Sequence, residues 1–219
     1  MKQEDLEDII IKMSRNRKNF GEYNKVVLVG TIEEKPTRKN NNFFSTTISV
    51  ERPSGTVDNI PLEISEKKLN KKGIKKGSFV EIQGDFKSYM QQGHREMFLN
   101  AREVRKIEGG LEENPSLIYL RGYICHKPYY HETATVHKHI TAFTLAIPRN
   151  PANKRSKADY LQCLAWECDS QMIKNCQVGQ EVELYGRIQS RHFYPGNDMN
   201  IEPVKVCEVS IYKHQVWLL

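Results

Sequence analysis

Apolar residues in this chain recur mostly at every second position, in short runs broken by glycine, proline and clusters of charge. Residues 44–52 (FSTTISVER) and 141–149 (TAFTLAIPR) alternate in this way, as do DNIPLEIS from Asp58 and DYLQCLAW from Asp159. A period of two marks strands with one buried face. The pattern also repeats. Residues 24–36 read NKVVLVGTIEEKP and residues 116–128 read SLIYLRGYICHKP, so Gly30 corresponds to Gly122 and Lys35-Pro36 to Lys127-Pro128. Each copy continues with a strand ending in Arg (Arg52, Arg149), a strand introduced by Asp, and a short polar segment of helical character at 66–72 and 168–176. KKGSFVEIQGDFKS and QVGQEVELYGRIQS follow, with Gly77 matching Gly179 and Gly84 matching Gly186; REMFLNAREVRKI and NIEPVKVCEVSIY close the copies.

Strand–strand–strand–short helix–strand–strand, twice over, predicts an all-β chain with short helices, built as two tandem OB-fold five-stranded β-barrels. Glycines inside strands mark the bends that let such a sheet curl and close. The expected boundaries are 23–108 for the first barrel, 109–115 for a linker of Gly, Glu and Pro, and 116–219 for the second barrel. Residues 1–22 stand outside both copies. There Leu6, Ile9, Ile10 and Met13 share helical spacing, which predicts a short amphipathic helix docked on a barrel, with a contact between protomers as the alternative.

A length of 219 residues suits two domains of this size. No run approaches the ~20 apolar residues of a membrane helix, and the N-terminus lacks a secretory signal pattern, so a cytoplasmic protein is expected. Five cysteines at irregular spacing, all in the second half, fit reduced thiols rather than a disulfide framework. The net charge of +6 suits a polyanionic partner without requiring one.

Strand phase narrows that partner. In 159–166, Leu161, Cys163 and Ala165 point inward, leaving Tyr160, Gln162, Leu164 and Trp166 on the opposite face. In 182–193, Val182 and Leu184 point inward before Gly186, and beyond it Arg187, Gln189, Arg191 and Phe193 fall together. Aromatic faces for bases beside cations for the backbone are what sequence-tolerant binding of a single strand needs. Tyr160, Trp166 and Phe193 are expected to stack bases, with Arg149, Arg187 and Arg191 neutralising phosphates. The loop at 148–158, PRNPANKRSKA, adds Lys154, Arg155 and Lys157, read either as a phosphate-gripping flap or as a solvated basic loop. The first copy is poorer: its third strand has no aromatic, Phe43 is out of phase with the core, and Lys87 and Tyr89 stand where the second copy has Gln189 and Arg191. Arg38, Lys39 and Arg95 add charge there.

No phosphate-cradling glycine loop, nucleophile elbow or His-Glu-x-x-His is present, so no enzyme is expected and no cofactor is implied. Cys125, His126, His131, His137 and His139 crowd one expected loop, but neither they nor Cys163, Cys168 and Cys176 have the paired CxxC knuckles of a structural zinc site, and no metal is expected.

With FTLAIPRN, DYLQCLAWE and VELYGRIQSRHF in this order, the chain resembles the bacterial single-stranded DNA-binding protein family, clearly over 105–212 and more loosely over 23–108. The resemblance implies that Tyr160 and Trp166 of the third strand, and Phe193 just past the fourth, are base-stacking positions. The family's further aromatic after strand two has no counterpart in PRNPANKRSKA, where binding would rest on charge. It also implies a role in DNA replication, recombination or repair, and a homodimer of four barrels, with a monomer as the alternative. KHQVWLL follows directly on the last strand, so recruitment of replication or recombination proteins through an acidic tail is not expected. The preference for DNA over RNA comes from the resemblance alone. A primosome or replication-initiation adaptor with weak strand binding is the main competing reading.

Overall fold

A computed structural model describes residues 23–91, 93–108, 116–133, 137–150, 157–194 and 202–219. The helix expected within 1–22, the linker and the loop cations Lys154 and Arg155 lie outside the described residues. The chain forms two compact units, one of residues up to Phe86 together with Phe98–Leu117, the other of Lys87–Met97 together with Ile118–Leu219.

The first unit carries β1 (Asn24–Ile32), β2 (Thr37–Arg38), β3 (Phe43–Glu51), β4 (Val57–Ser65), α1 (Glu66–Lys72), and most of β5 (Phe79–Gln91) and β6 (His94–Lys106). Its strand order is β2-β3-β4-β6-β5-β1, and β1 also pairs with β3 through Thr31 and Ser49, which closes the barrel. The second unit carries β7 (Ser116–Ile124), β8 (Tyr129–Glu132), β9 (His139–Pro148), β10 (Ala158–Trp166), α2 (Glu167–Ile173), β11 (Glu181–Phe193) and β12 (Val204–Leu218). Its order, β7-β11-β12-β10-β9-β8 with an added β7–β9 pairing, repeats the first. Each unit is the closed OB arrangement that the alternating pattern predicts.

Alternation builds each core. Ile48, Ile60, Leu62, Ile64 and Ile82 fill the first barrel, and Leu145, Leu161, Cys163, Ala165, Leu184 and Val209 the second, all buried. Closure depends on glycine at the bend of the long strand. A Cβ on Gly84 would stand 2.2 Å from the carbonyl oxygen of Asn100, and one on Gly186 2.5 Å from that of Ser210. No side chain fits at such distances, and the β11–β12 register shifts between Leu184 and Gly186.

The fold departs from the sequence reading in several places. The last strand does not end before KHQVWLL but runs through it to Leu218, because Val216, Trp217 and Leu218 pair with Leu184, Glu183 and Val182 of β11. The second helix runs Glu167–Ile173 rather than over 168–176, because Cys176 N–H bonds back to Ile173 O and Gln180 N–H to Gln177 O, turning the chain toward β11. The histidine-rich segment is not all loop. Tyr129–Glu132 pairs with β9 as an edge strand, with His131 opposite Ile140.

Candidate nucleic-acid interface

Burial along β10 alternates strictly: Asp159, Leu161, Cys163 and Ala165 are buried, while Tyr160, Gln162, Leu164 and Trp166 are half-buried on the outer face. Small residues of β9 lie opposite the first three. Ala146 pairs with Tyr160, Thr144 with Gln162 and Ala142 with Leu164, whereas Trp166 stands opposite Ile140. Thr144 Oγ1 donates to Gln162 Oε1 at 3.1 Å. The indole of Trp166 is held by its edge, its Nε1–H donating to Ser210 Oγ on β12 at 3.0 Å.

On β11, Arg187, Gln189, Arg191 and Phe193 stand opposite Ser210, Glu208, Val206 and Val204 of β12. Phe193 is 42% exposed, as an accessible ring requires. Gln189 keeps its phase with Arg187, Arg191 and Phe193 but, unlike them, is buried. The cause is Glu208, a carboxylate only 1% exposed, which must be neutralised and hydrogen-bonded to be stable there. Gln189 Nε2 donates to Glu208 Oε1 at 2.8 Å and Arg191 Nε to Glu208 Oε2 at 3.1 Å. The Arg191 guanidinium also lies 5.7 Å from the Phe193 ring centroid. Arg187 is half-buried near Tyr212, whose hydroxyl burial pushes up to about 12, Arg187 opposing the rise.

Arg149 forks onto Asp159, with Nη2 donating to Oδ1 at 2.7 Å and Nε to Oδ2 at 3.0 Å. Nη2 also donates to the Ser88 carbonyl at 3.0 Å. Ser88 belongs to the hairpin tip Lys87–Met97, which is part of this unit. Its N–H donates to Asp159 Oδ1 at 3.0 Å and its Oγ accepts the Tyr160 N–H at 2.8 Å. The same tip lays the Arg95 guanidinium 4.5 Å from the Tyr160 ring centroid, a cation–π contact. Lys87 and Tyr89 are half-buried on this hairpin, Tyr89 donating its hydroxyl to Glu96 Oε2 at 2.8 Å. Lys157 is exposed where the chain re-enters β10. In the sequence Arg95 stands only as added charge, because a contact across 65 positions with Tyr160 leaves no periodic signal.

The matching face of the first barrel has a different chemistry. Phe43 is on it, opposite Ser65, but β4 presents Asn59, Pro61, Glu63 and Ser65 where β10 presents Tyr160, Gln162, Leu164 and Trp166. The Lys39 ammonium pairs with Glu63 and lies 5.2 Å from the Phe98 ring centroid. Arg38 pairs with Glu66 at 2.5 Å and lies 4.9 Å from the Phe44 ring centroid.

Two histidines of 126–139 bond to their neighbours: Tyr130 Oη and His139 Nδ1 are 2.8 Å apart, as are His137 Nδ1 and Glu132 Oε1. Cys163 is buried in the barrel, which pushes its thiol up. Among the described residues, Cys168, Asp169 and His214 are the group whose donor atoms converge closely enough for a metal ion.

Comparison with known proteins agrees with the fold. In fold, the chain is similar to the wild-type single-stranded DNA binding protein from Thermus aquaticus, with TM-score 0.68 and 15% identity over 90% of this chain and 92% of that one. A deletion mutant of that protein is similar too, with TM-score 0.65 and 15% identity over 90% of this chain and 94% of the mutant. No curated protein matches the chain by sequence. Residues 116–215 match the model of the Single-strand binding protein family. The second barrel is thus similar to the single-strand binding protein family, within a chain that carries two OB barrels in tandem.

Proposed function

We propose that the chain binds single-stranded DNA without strong sequence preference and without catalysis, in replication, recombination or repair, and that the second barrel is the principal binding face. The observation that carries this reading is the outer face of β10, where Tyr160 and Trp166 stand half-exposed above a closed core, in a barrel matched to the single-strand binding family. Bases stack on Tyr160, Trp166 and Phe193, each contributing about 1–3 kcal/mol. Arg187, Arg191 and Lys157 face the phosphates, with Lys154 and Arg155 adding charge in the sequence beside them; Arg149 orients the face through Asp159. The choice of DNA over RNA follows the family match. A homodimer presenting four barrels is the proposed assembly.

The first barrel favours a second reading for its own half, as the contact-making part of a replication adaptor. Its Lys39 and Arg38 are engaged with Glu63 and Glu66, and β4 carries no aromatic. A tryptophan-fluorescence titration with oligo-dT and a matched duplex, at low and moderate salt, tests the main proposal. Salt-sensitive quenching by the single strand alone is expected. No binding in this or an unlabelled assay would overturn it and leave the adaptor reading.

A further inference from the structure

Two residues past Trp166, the start of α2 meets the later part of β12. Cys168 Sγ lies 3.6 Å from His214 Nδ1, and these two atoms and a carboxylate oxygen of Asp169 all fall within 4.8 Å of one another. Thiolate, imidazole and carboxylate are the donor types of zinc sites, with Zn–S about 2.3 Å and Zn–N about 2.05 Å. A tetrahedral ion with those bonds holds its sulfur and nitrogen about 3.6 Å apart, the separation found here before any ion is added. Cys168 and His214 are open to solvent, which supplies an entry path, while Asp169 is only 6% exposed and fixed in place. Asp169 Oδ2 accepts the backbone N–H of His214 at 2.9 Å, which sets where the imidazole stands.

The backbone around the group is unusual as well. His214 has φ 60° and Glu167, the residue before Cys168, has φ 51°, a region that residues other than glycine seldom adopt. The first barrel lacks the group. Its helix α1 begins Glu66-Lys67-Lys68 where α2 begins Glu167-Cys168-Asp169, so ammonium groups stand in the sequence where the ligands are.

We propose that Cys168, Asp169 and His214 form a zinc site, with Cys168 Sγ as thiolate, His214 Nδ1 and one Asp169 oxygen as ligands and a water in the fourth position. Binding displaces the Cys168 thiol proton to solvent. The ion ties the first turn of α2 to β12, the pair of elements that the Trp166–Ser210 bond already joins, and so holds the corner that carries Trp166.

Cobalt titration of the untagged, reduced, metal-stripped full chain tests this. One equivalent of Co²⁺ is expected to give a sulfur-to-cobalt charge-transfer band in the near ultraviolet with tetrahedral bands in the visible, and Zn²⁺ to displace it. Cys168→Ser abolishes the charge-transfer band, and His214→Ala weakens zinc by at least about tenfold, no less than loss of an outer-shell partner would. Both side chains are exposed, and far-UV circular dichroism shows that the variants keep the fold. Absence of a charge-transfer band in the unaltered protein overturns the proposal, leaving a thiol–imidazole hydrogen bond. A band that survives Cys168→Ser but disappears in Cys125→Ser also overturns it, placing the metal at Cys125 and His126.

Discussion

Arg149, at the end of β9, grips Asp159, at the start of β10, through two parallel N–H···O bonds of 2.7 and 3.0 Å. Arg52 and Asp58 repeat the arrangement in the first barrel, with both bonds at 2.6 Å. Asp58 and Asp159 are both buried, and a forked guanidinium supplies a planar pair of donors to each carboxylate. The pair closes the loop end of a hairpin whose strands form the floor of the proposed binding face. In the second barrel it also receives the Ser88 N–H and gives an N–H to the Ser88 carbonyl, so the same carboxylate positions the hairpin tip that carries Arg95.

Loss of Arg149 is therefore expected to act on stability more than on phosphate binding. Arg149→Ala leaves a carboxylate only 4% exposed without its cation, whereas the guanidinium itself is 38% exposed. Breaking a buried pair from one side costs about 3–5 kcal/mol, and the partial exposure brings the figure to about 2–3 kcal/mol. Urea unfolding of the second unit reads that loss. The salt slope of strand binding stays within error of the unaltered protein; a slope lowered in step with one lost phosphate contact would instead assign Arg149 to the backbone of the nucleic acid.

Trp166 separates two contributions of one side chain. Trp166→Ala is expected to weaken oligo-dT binding by roughly tenfold or more, since a stacked base is worth about 1–3 kcal/mol. Trp166→Phe keeps a π face but loses the indole N–H bonded to Ser210, and is expected to retain most of the affinity. An alanine variant that folds and binds as before would remove Trp166 from the interface.

Much of this architecture is legible in the sequence. The repeat, the bend glycines and the outward phase of Tyr160 and Trp166 all follow from local alternation, because the pleat forces alternate side chains to opposite faces. Arg52 with Asp58 and Arg149 with Asp159 are visible as repeat markers, yet nothing in the pattern says that they pair. Gln189 shows the limit of phase: it lies on the expected side, but Glu208 directly across the sheet draws it into a buried network. Strand period reports which face a residue occupies, not what covers it. The place of Arg95 over Tyr160 is of the same kind, set by the position of a hairpin tip rather than by neighbours in the chain.

Arg95 and Tyr160 are distinguishable by salt. The guanidinium lies 4.5 Å from the ring centroid, so a base arriving at Tyr160 meets a cation already at the ring. Tyr160→Ala is expected to weaken binding without changing the salt slope, because a π face releases no counterion. Arg95→Ala is expected to weaken binding and lower the slope by about 0.7, the value for one phosphate contact on a single strand. Tighter binding by Arg95→Ala would show instead that the guanidinium blocks the ring.

Glu208 restrains the cation beside it. Its carboxylate, 1% exposed, accepts from Gln189 and from Arg191, and Arg191 remains half-exposed beside Phe193. With Glu208→Gln the side chain keeps its shape and an oxygen to receive Gln189, while the negative charge that offsets Arg191 disappears. Single-stranded DNA is then expected to bind more tightly at low salt, with a slope steeper by up to about 0.7 as Arg191 takes up a phosphate. The gain depends on Arg191: in a Glu208→Gln, Arg191→Ala double variant it vanishes, and the shortfall from additivity measures the coupling between the two side chains. Equal slopes for Glu208→Gln and the unaltered protein would mean that Arg191 serves the buried carboxylate alone, leaving Arg187 and the loop cations to meet the phosphates.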